Sequence, residues 1–334
     1  MTPEPTMRAL VVQETGANFT SVHLPRPVPR AGEVLVRIHA SGVNPLDTKI
    51  RAGVAAHARH PLPGVLGMDM AGVVEGVGAG VAGFRVGDEV YGLVGGVGGL
   101  QGTLAEYAAV DAELLAAKPV KLSMREAAAL PLITITAWEG LVDRAQVRAG
   151  RKVLVHGGAG GVGHAAVQIA VALGADVYAT GSPAQCETIR GFGATPIDHT
   201  TTPVEQYVHA HTAGAGFDVI YDTVGGAVLD ASFKAARANG GHVVSCLGWG
   251  THALAPLSFR AATYSGVFTL MPMLSGKGRA RHGHILREAA GLAEEGRLRP
   301  LLDERRFDLG SALQAHRAVE TRQALGKVVV DVHA

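Results

Sequence analysis

The chain has 334 residues, 47% of them apolar and 18% charged, with a formal net charge of +1 at neutral pH. That length exceeds what a single core usually supports, so two domains are expected, and the composition excludes a disordered chain and a polyanion-binding field. Only Cys186 and Cys246 are present, which excludes a disulfide framework and a four-cysteine zinc site; the fifteen histidines are scattered without a His-Glu-x-x-His pattern.

The N-terminal MTPEPTMRALVVQ shows no basic segment followed by an apolar run, and no stretch of about 18 apolar residues occurs, so a cytoplasmic protein without membrane contact is expected. Residues 7–128 carry short β-rich segments, MRALVVQ, EVLVRIHASGV, MAGVVEGVG, DEVYGL and TLAEYAAV, punctuated by Gly, Pro and Asp, which predicts a compact barrel-like domain. From Ser123 the pattern alternates: a helix over SMREAAALPLITITAWEGLVD, a strand KVLVH, a helix GHAAVQIAVALG, a strand DVYATG and a helix AQCETIRGFG. The runs FDVIYDTVG, GGHVVSCLG and GVFTLMPM add further strands of a buried parallel sheet, so this half is predicted to be doubly wound. A basic loop, SGKGRARHG, a helix HILREAAGLAEEGRL and a strand-like GKVVVDVHA follow.

Within VLVHGGAGGVGHAAVQ, Gly158, Gly160 and Gly163 fit G-x-G-x-x-G after a strand and at the start of a helix. The first glycine would permit the tight turn, the second the approach of a pyrophosphate, the third close helix packing, with the N–H groups of Gly161, Val162 and Gly163 turned to the phosphates. An NAD site would place a carboxylate at the end of the next strand. Here that strand ends Thr180-Gly181-Ser182, while Asp176 lies at its beginning, so NADPH is favoured over NADH, with a site that takes either as the alternative.

The segments SGVNPLDTKIRAG, PGVLGMDMAGVVEGVG, FRVGDEVYG, AAALPLITITAWEGL, VLVHGGAGGVGHAAVQIA, FDVIYDTVGG and ETRQALGKVVV together resemble the quinone oxidoreductase branch of the medium-chain dehydrogenase/reductase superfamily. The resemblance implies an α/β protein. A GroES-like β-rich catalytic domain, residues 1–128 and 273–334, would surround a Rossmann doubly wound domain, residues 129–272, with the cofactor in the cleft between them. Zinc-dependent relatives carry a Cys in the first segment and Gly-His-Glu in the second; here Asn44 and Met68 stand there, and the remaining catalytic cysteine position falls near Leu132. An amide, a thioether and an alkyl chain are poor zinc ligands, so no metal is expected.

The resemblance further implies that Asn44 faces the nicotinamide ribose or the substrate carbonyl; from the residues alone it reads equally as a helix N-cap before Pro45. Lys49 stands where relatives carry a cleft tyrosine, and is either a hydrogen-bond donor to an enolate or an exposed helix lysine. Asp47 reads as first-turn helix chemistry. Thr136 and Lys327 resemble residues that reach the cofactor, and Ser182 and His199 resemble groups around the adenosine 2′-phosphate, although Gln185 replaces the usual lysine. Trp249, Met271 and Met273 are candidates for an apolar substrate mouth, and GVFTLMPML for the interface of a homodimer.

The expected activity is hydride transfer from NADPH to a quinone or α,β-unsaturated carbonyl, without zinc. Two alternatives stand beside it. An enoyl-thioester reductase would show a tyrosine after NPLDTKIRAG, where VAAHARHPLPG has none. A low-turnover NADPH-binding sensor, lens-type or RNA-binding protein would use a basic face, for which Lys277, Arg279 and Arg281 are the only candidates; no nucleic-acid partner is expected.

Overall fold

A computed structural model describes residues 5–333. Two compact units form, one from the chain up to Leu132 and again from Leu270 onward, the other from Ile133–Thr269.

The first unit is β-rich and built on the long strand Glu33–Val43, whose Val34, Val36 and Ile38 are completely buried. That strand pairs antiparallel with Asp69–Val77, Tyr107–Asp111 and Val328–Asp331. Bulges between Leu35 and Val36 and between Ile38 and Ala40 raise its local twist. Thr6–Val12, Phe19–Pro25 and Gly64–Val65 form a second, smaller sheet. Register is what matters for function. Val43 is opposite Val328 and Gly42 opposite Asp69, so Asn44, Asp69 and Lys327 meet at one end of three adjacent strands.

The second unit holds six parallel strands, in chain order Lys152–Val155, Asp176–Gly181, Thr195–Asp198, Val219–Asp222, His242–Ser245 and Thr263–Gly266. Side by side they run third, second, first, fourth, fifth, sixth, the doubly wound order that reverses direction beside the first strand. Ligands of such sheets bind outside the carboxyl ends of the strands at that reversal. Leu154, Ile197, Tyr207, Phe217, Ile220, Phe233 and Val243 form its core.

Three local expectations change. The single helix expected over 123–143 is broken: Met124–Ala128 is capped by Ser123, whose N–H donates to the Glu126 carboxylate at 2.8 Å, and a new helix, Pro131–Trp138, starts on a proline that lacks an N–H and suits a first turn. The sixth strand is Thr263–Gly266, and GVFTLMPM leaves the sheet instead of forming it, passing into the helix Met271–Ser275 with Pro272 in its first turn. The short strand Thr195–Asp198 and the helix Val204–Thr212 carry no strong periodicity and were not expected.

Candidate functional site

The glycine turn follows the first parallel strand. Gly157, not Gly158, takes the left-handed conformation that makes the tight turn, with φ +71°. A Cβ on Gly158 would lie 2.5 Å from that of Ala179, and one on Gly163 only 2.0 Å from the Gly157 carbonyl oxygen, so both are glycine because backbone and strand come too close for anything larger. Thr180, on the second strand, pins the turn twice: its Oγ1 accepts from the Gly157 N–H at 3.1 Å and its carbonyl from the Gly158 N–H at 2.8 Å. Gly160 is the N-cap of the helix Gly161–Ala172. The first-turn N–H groups of Gly161, Val162 and Gly163 have no acceptor within the helix, and Gly160 and Gly161 are exposed. This cradle fits the pyrophosphate of a dinucleotide: it offers first-turn N–H groups and a positive helix end, with glycine at 160, 161 and 163.

His156, just before the turn, is fully buried with its Nδ1 3.3 Å from the Thr180 hydroxyl. Burial pushes its pKa down to about 4, so it is neutral. Neighbouring Asp222 ends the fourth strand and accepts from Val224 N–H, Gly225 N–H and the Ser245 hydroxyl, fixing the following loop. At the end of the second strand Ser182 is half-buried and its N–H donates to Gln185 at 3.0 Å; His199 is exposed and its N–H bonds the Gly181 carbonyl at 3.2 Å. Asp198 lies across the strand pair from Gly181, and its carboxylate accepts from the Thr200 and Thr201 hydroxyls.

In the first unit the cluster at the strand ends is almost wholly buried. Asn44 occupies the N-cap position of the helix Pro45–Arg51, yet its side chain makes no capping bond. Instead its Oδ1 accepts from Lys327 Nζ at 2.5 Å and its Nδ2 donates to Asp69 Oδ2 at 2.8 Å. One Nδ2 hydrogen remains. The cap is supplied in reverse by Asp47, whose carboxylate accepts the Asn44 N–H at 2.8 Å, in keeping with first-turn chemistry. Asp69 Oδ1 accepts the Leu132 N–H at 2.9 Å, and Lys327 Nζ also bonds the Val43 carbonyl at 3.2 Å and lies 3.9 Å from Asp69. Burial raises Asp47 to about 7 and Asp69 to about 6, against the pull of Lys327 on both, and lowers Lys327. Asp69 escaped sequence reading although it adjoins Met68 in the segment that pointed away from zinc. An acid opening the uncharged run 70–74 was the available signal.

Thr136 is buried in the second unit, its hydroxyl 3.0 Å from that of Thr269. Lys49 is exposed on its helix. Met273 is buried, whereas Trp249 and Met271 are each more than half exposed. In GVFTLMPML, Val267, Thr269, Leu270 and Met273 are buried, which makes much of it core. Arg279 pairs with Asp111 at 2.9 Å and donates to the Met273 carbonyl, which removes it from any free basic face.

The donor set does not suit zinc. At the two motif positions stand a thioether and an amide whose only ligating oxygen already accepts a hydrogen bond from an ammonium. Among the described residues no three His, Cys, Asp or Glu side chains come together to hold a metal, and no helix is long and apolar enough to cross a membrane.

Comparison with known proteins agrees with this architecture. Residues 30–120 match the alcohol dehydrogenase GroES-like domain family and residues 192–330 the zinc-binding dehydrogenase family. The chain is 36% identical over 312 residues, 91% of its length and 73% of the relative's, to the NADPH-dependent alkenal/one oxidoreductase of Arabidopsis thaliana chloroplasts. The chain belongs to the medium-chain dehydrogenase/reductase superfamily. A crystal structure of an alcohol dehydrogenase superfamily protein from Novosphingobium aromaticivorans superposes with a TM-score of 0.96 at 57% identity, covering 98% of this chain and all of that one. The CurK enoyl reductase superposes with a TM-score of 0.86 at 28% identity, covering 98% and 99%. Ninety per cent of the chain is also 36% identical to the spectinabilin polyketide synthase system protein NorB of Streptomyces orinoci, of whose length the match spans only 13%. The protein is an oxidoreductase of α/β fold, with a β-rich GroES-like unit and a Rossmann-like parallel sheet.

Proposed function

We propose that this oxidoreductase uses NADPH to reduce an α,β-unsaturated carbonyl, an enone or a quinone, without a catalytic metal. The observation that carries the reading is the Asn44–Asp69–Lys327 cluster: at one of the positions where zinc-dependent relatives place a metal ligand, this chain has an amide held between a buried ammonium and a carboxylate. Bound in the glycine cradle, NADPH supplies a hydride. The chain's own contribution is to hold the pyrophosphate at Gly161, Val162 and Gly163, the adenosine phosphate at Ser182 and His199, and the reactive end through Asn44, Thr136 and Lys327. Hydrogen-bond donors stabilise a conjugated oxygen that gains charge, but they polarise an isolated alcohol far less well than a metal does. An electrophilic, conjugated acceptor therefore suits these residues, and a saturated alcohol does not. The NADPH-dependent alkenal/one relative supports the same substrate class.

Enoyl-thioester reduction is the second reading. The likeness to the CurK enoyl reductase favours it, and the same donors would serve a thioester-conjugated alkene. Steady-state turnover with NADPH against 1,4-benzoquinone, a simple enone and an enoyl thioester, and with NADP against a secondary alcohol, decides between them. Conjugated acceptors are expected to turn over and chelator to have no effect. Preference for the alcohol, with activity lost on chelation, overturns the proposal. We further propose a homodimer, supported by the outermost strand Thr263–Gly266, which pairs on one side only near the exposed Phe259; light scattering tests it.

A further inference from the structure

A carboxamide has nearly the same shape at both ends, so its neighbours decide which end carries the donor. At Asn44 the neighbours have opposite charge: Lys327 Nζ stands 2.5 Å from Oδ1 and Asp69 Oδ2 stands 2.8 Å from Nδ2. Turning the amide by half a turn would set oxygen against carboxylate and NH2 against ammonium, and both contacts would become repulsive. Asp69 is itself fixed, because its other oxygen holds the Leu132 N–H at 2.9 Å and its strand partner is Gly42, where a Cβ would come within 3.1 Å of the Asp69 Cβ.

We propose that Asp69 is a positioning residue that sets the polarity of the Asn44 carboxamide, so that the remaining Nδ2 hydrogen is offered to an oxygen acceptor, a carbonyl or hydroxyl, on the bound molecule. This rests on the reading that Asn44 takes part in turnover. Only a carboxylate serves both of its donors. An asparagine at position 69 has one acceptor oxygen for two N–H groups, and either Leu132 or Asn44 loses its partner.

The test is a double-mutant cycle joined to an NMR observation. Asp69→Asn is expected to lower kcat with an enone about ten-fold in the wild-type background and less than about two-fold in Asn44→Ala, because its effect passes through Asn44. The chain contains three asparagines, and Asn18 and Asn239 are exposed, so selective [15N]asparagine labelling gives one buried side-chain pair, assigned by its loss in Asn44→Ala. In the wild type that pair should be widely split and slow to exchange with solvent. In Asp69→Ser, which removes the carboxylate without adding an asparagine, the two signals should converge and exchange. An equal loss of kcat in both backgrounds, or an Asn44 pair unaltered by Asp69→Ser, overturns the proposal. Full turnover by Asn44→Ala also overturns it, through the functional reading on which it rests, and the labelled pair then shows separately whether Asp69 orients the amide.

Discussion

The hydroxyl of Tyr221 donates to the Thr136 carbonyl at 2.6 Å, and the same ring fills the space beside Gly140, where a Cβ would lie 2.6 Å from its Cζ. This wedge sits where the helix Pro131–Trp138 widens into the looser i→i+5 turns of Glu139–Arg144, closed by the Ala145 N–H on the Gly140 carbonyl. A fourth-strand tyrosine thus fixes the helix that carries Thr136. Tyr221→Phe keeps the packing but removes a donor from the Thr136 carbonyl, which should cost roughly 0.5–1.5 kcal/mol. Gly140→Ala should cost at least as much, since the ring must move. Urea unfolding of both variants checks this; a Gly140→Ala protein as stable as the wild type would sink it.

Two glycines of the turn after the first parallel strand should differ sharply. Gly163→Ala drives a Cβ to within 2.0 Å of the Gly157 oxygen and must open the turn, whereas Gly160→Ala, at 3.1 Å from the same atom and with ordinary φ, asks only for a small shift. NADPH affinity measured by fluorescence titration should fall at least about ten-fold for Gly163→Ala and only a few-fold for Gly160→Ala. Similar losses from both would show that the turn's tightness is not what binds the phosphates.

Cofactor choice should be modest and reversible. A hydrogen bond to a charged group contributes roughly 1.5–3 kcal/mol, and Ser182 and His199 can each donate one to a 2′-phosphate. The Asp198 carboxylate on the adjoining strand works against them, and the Thr200 hydroxyl, by holding its pKa below the usual range, keeps it charged. An NADPH preference of about ten-fold is expected, and Ser182→Asp should turn it toward NADH. Equal binding of both cofactors by the wild type would refute the preference.

The Rossmann-like sheet could be read from the sequence because a glycine turn between an apolar run and a helical one is a local signal. Its fine assignment could not. Which glycine takes positive φ depends on how Thr180 grips the turn, and that is set by strand pairing. The polar cluster is harder still. Asn44 before a proline reads locally as a cap, and only the antiparallel register of Val43 with Val328 and Gly42 with Asp69 reveals that its side chain is spent on Lys327 and Asp69. Tyr221 and Asp69 were hidden for the same reason: each lies in an unremarkable strand, and its partner is far along the chain.

Buried His316 should make the protein sensitive to mild acid. It is packed edge-on against Phe19, with ring centroids 4.9 Å apart, and burial first and the charge of Arg51 second push its pKa down to about 3. The unfolded chain takes up this proton near pH 6.5, whereas the folded protein resists it to about pH 3. As pH falls below 6.5, stability is therefore lost at up to about 1.4 kcal/mol per pH unit. His156, lowered to about 4, acts in the same direction. Asp47 and Asp69 act in the opposite one, because their raised folded values let the native state keep protons that the unfolded chain releases near 3.8, so they add stability as pH falls from about 7. These opposed contributions flatten the curve of the whole protein, and the difference between two proteins is the informative quantity. His316→Leu keeps an apolar group against Phe19 and removes the titration. Urea unfolding at pH 7.5, 6.5, 5.5 and 4.5 should show the stability of the variant relative to wild type rising steadily below pH 6.5. A relative stability that stays constant across the four values would mean that His316 is protonated at no special cost in the folded protein.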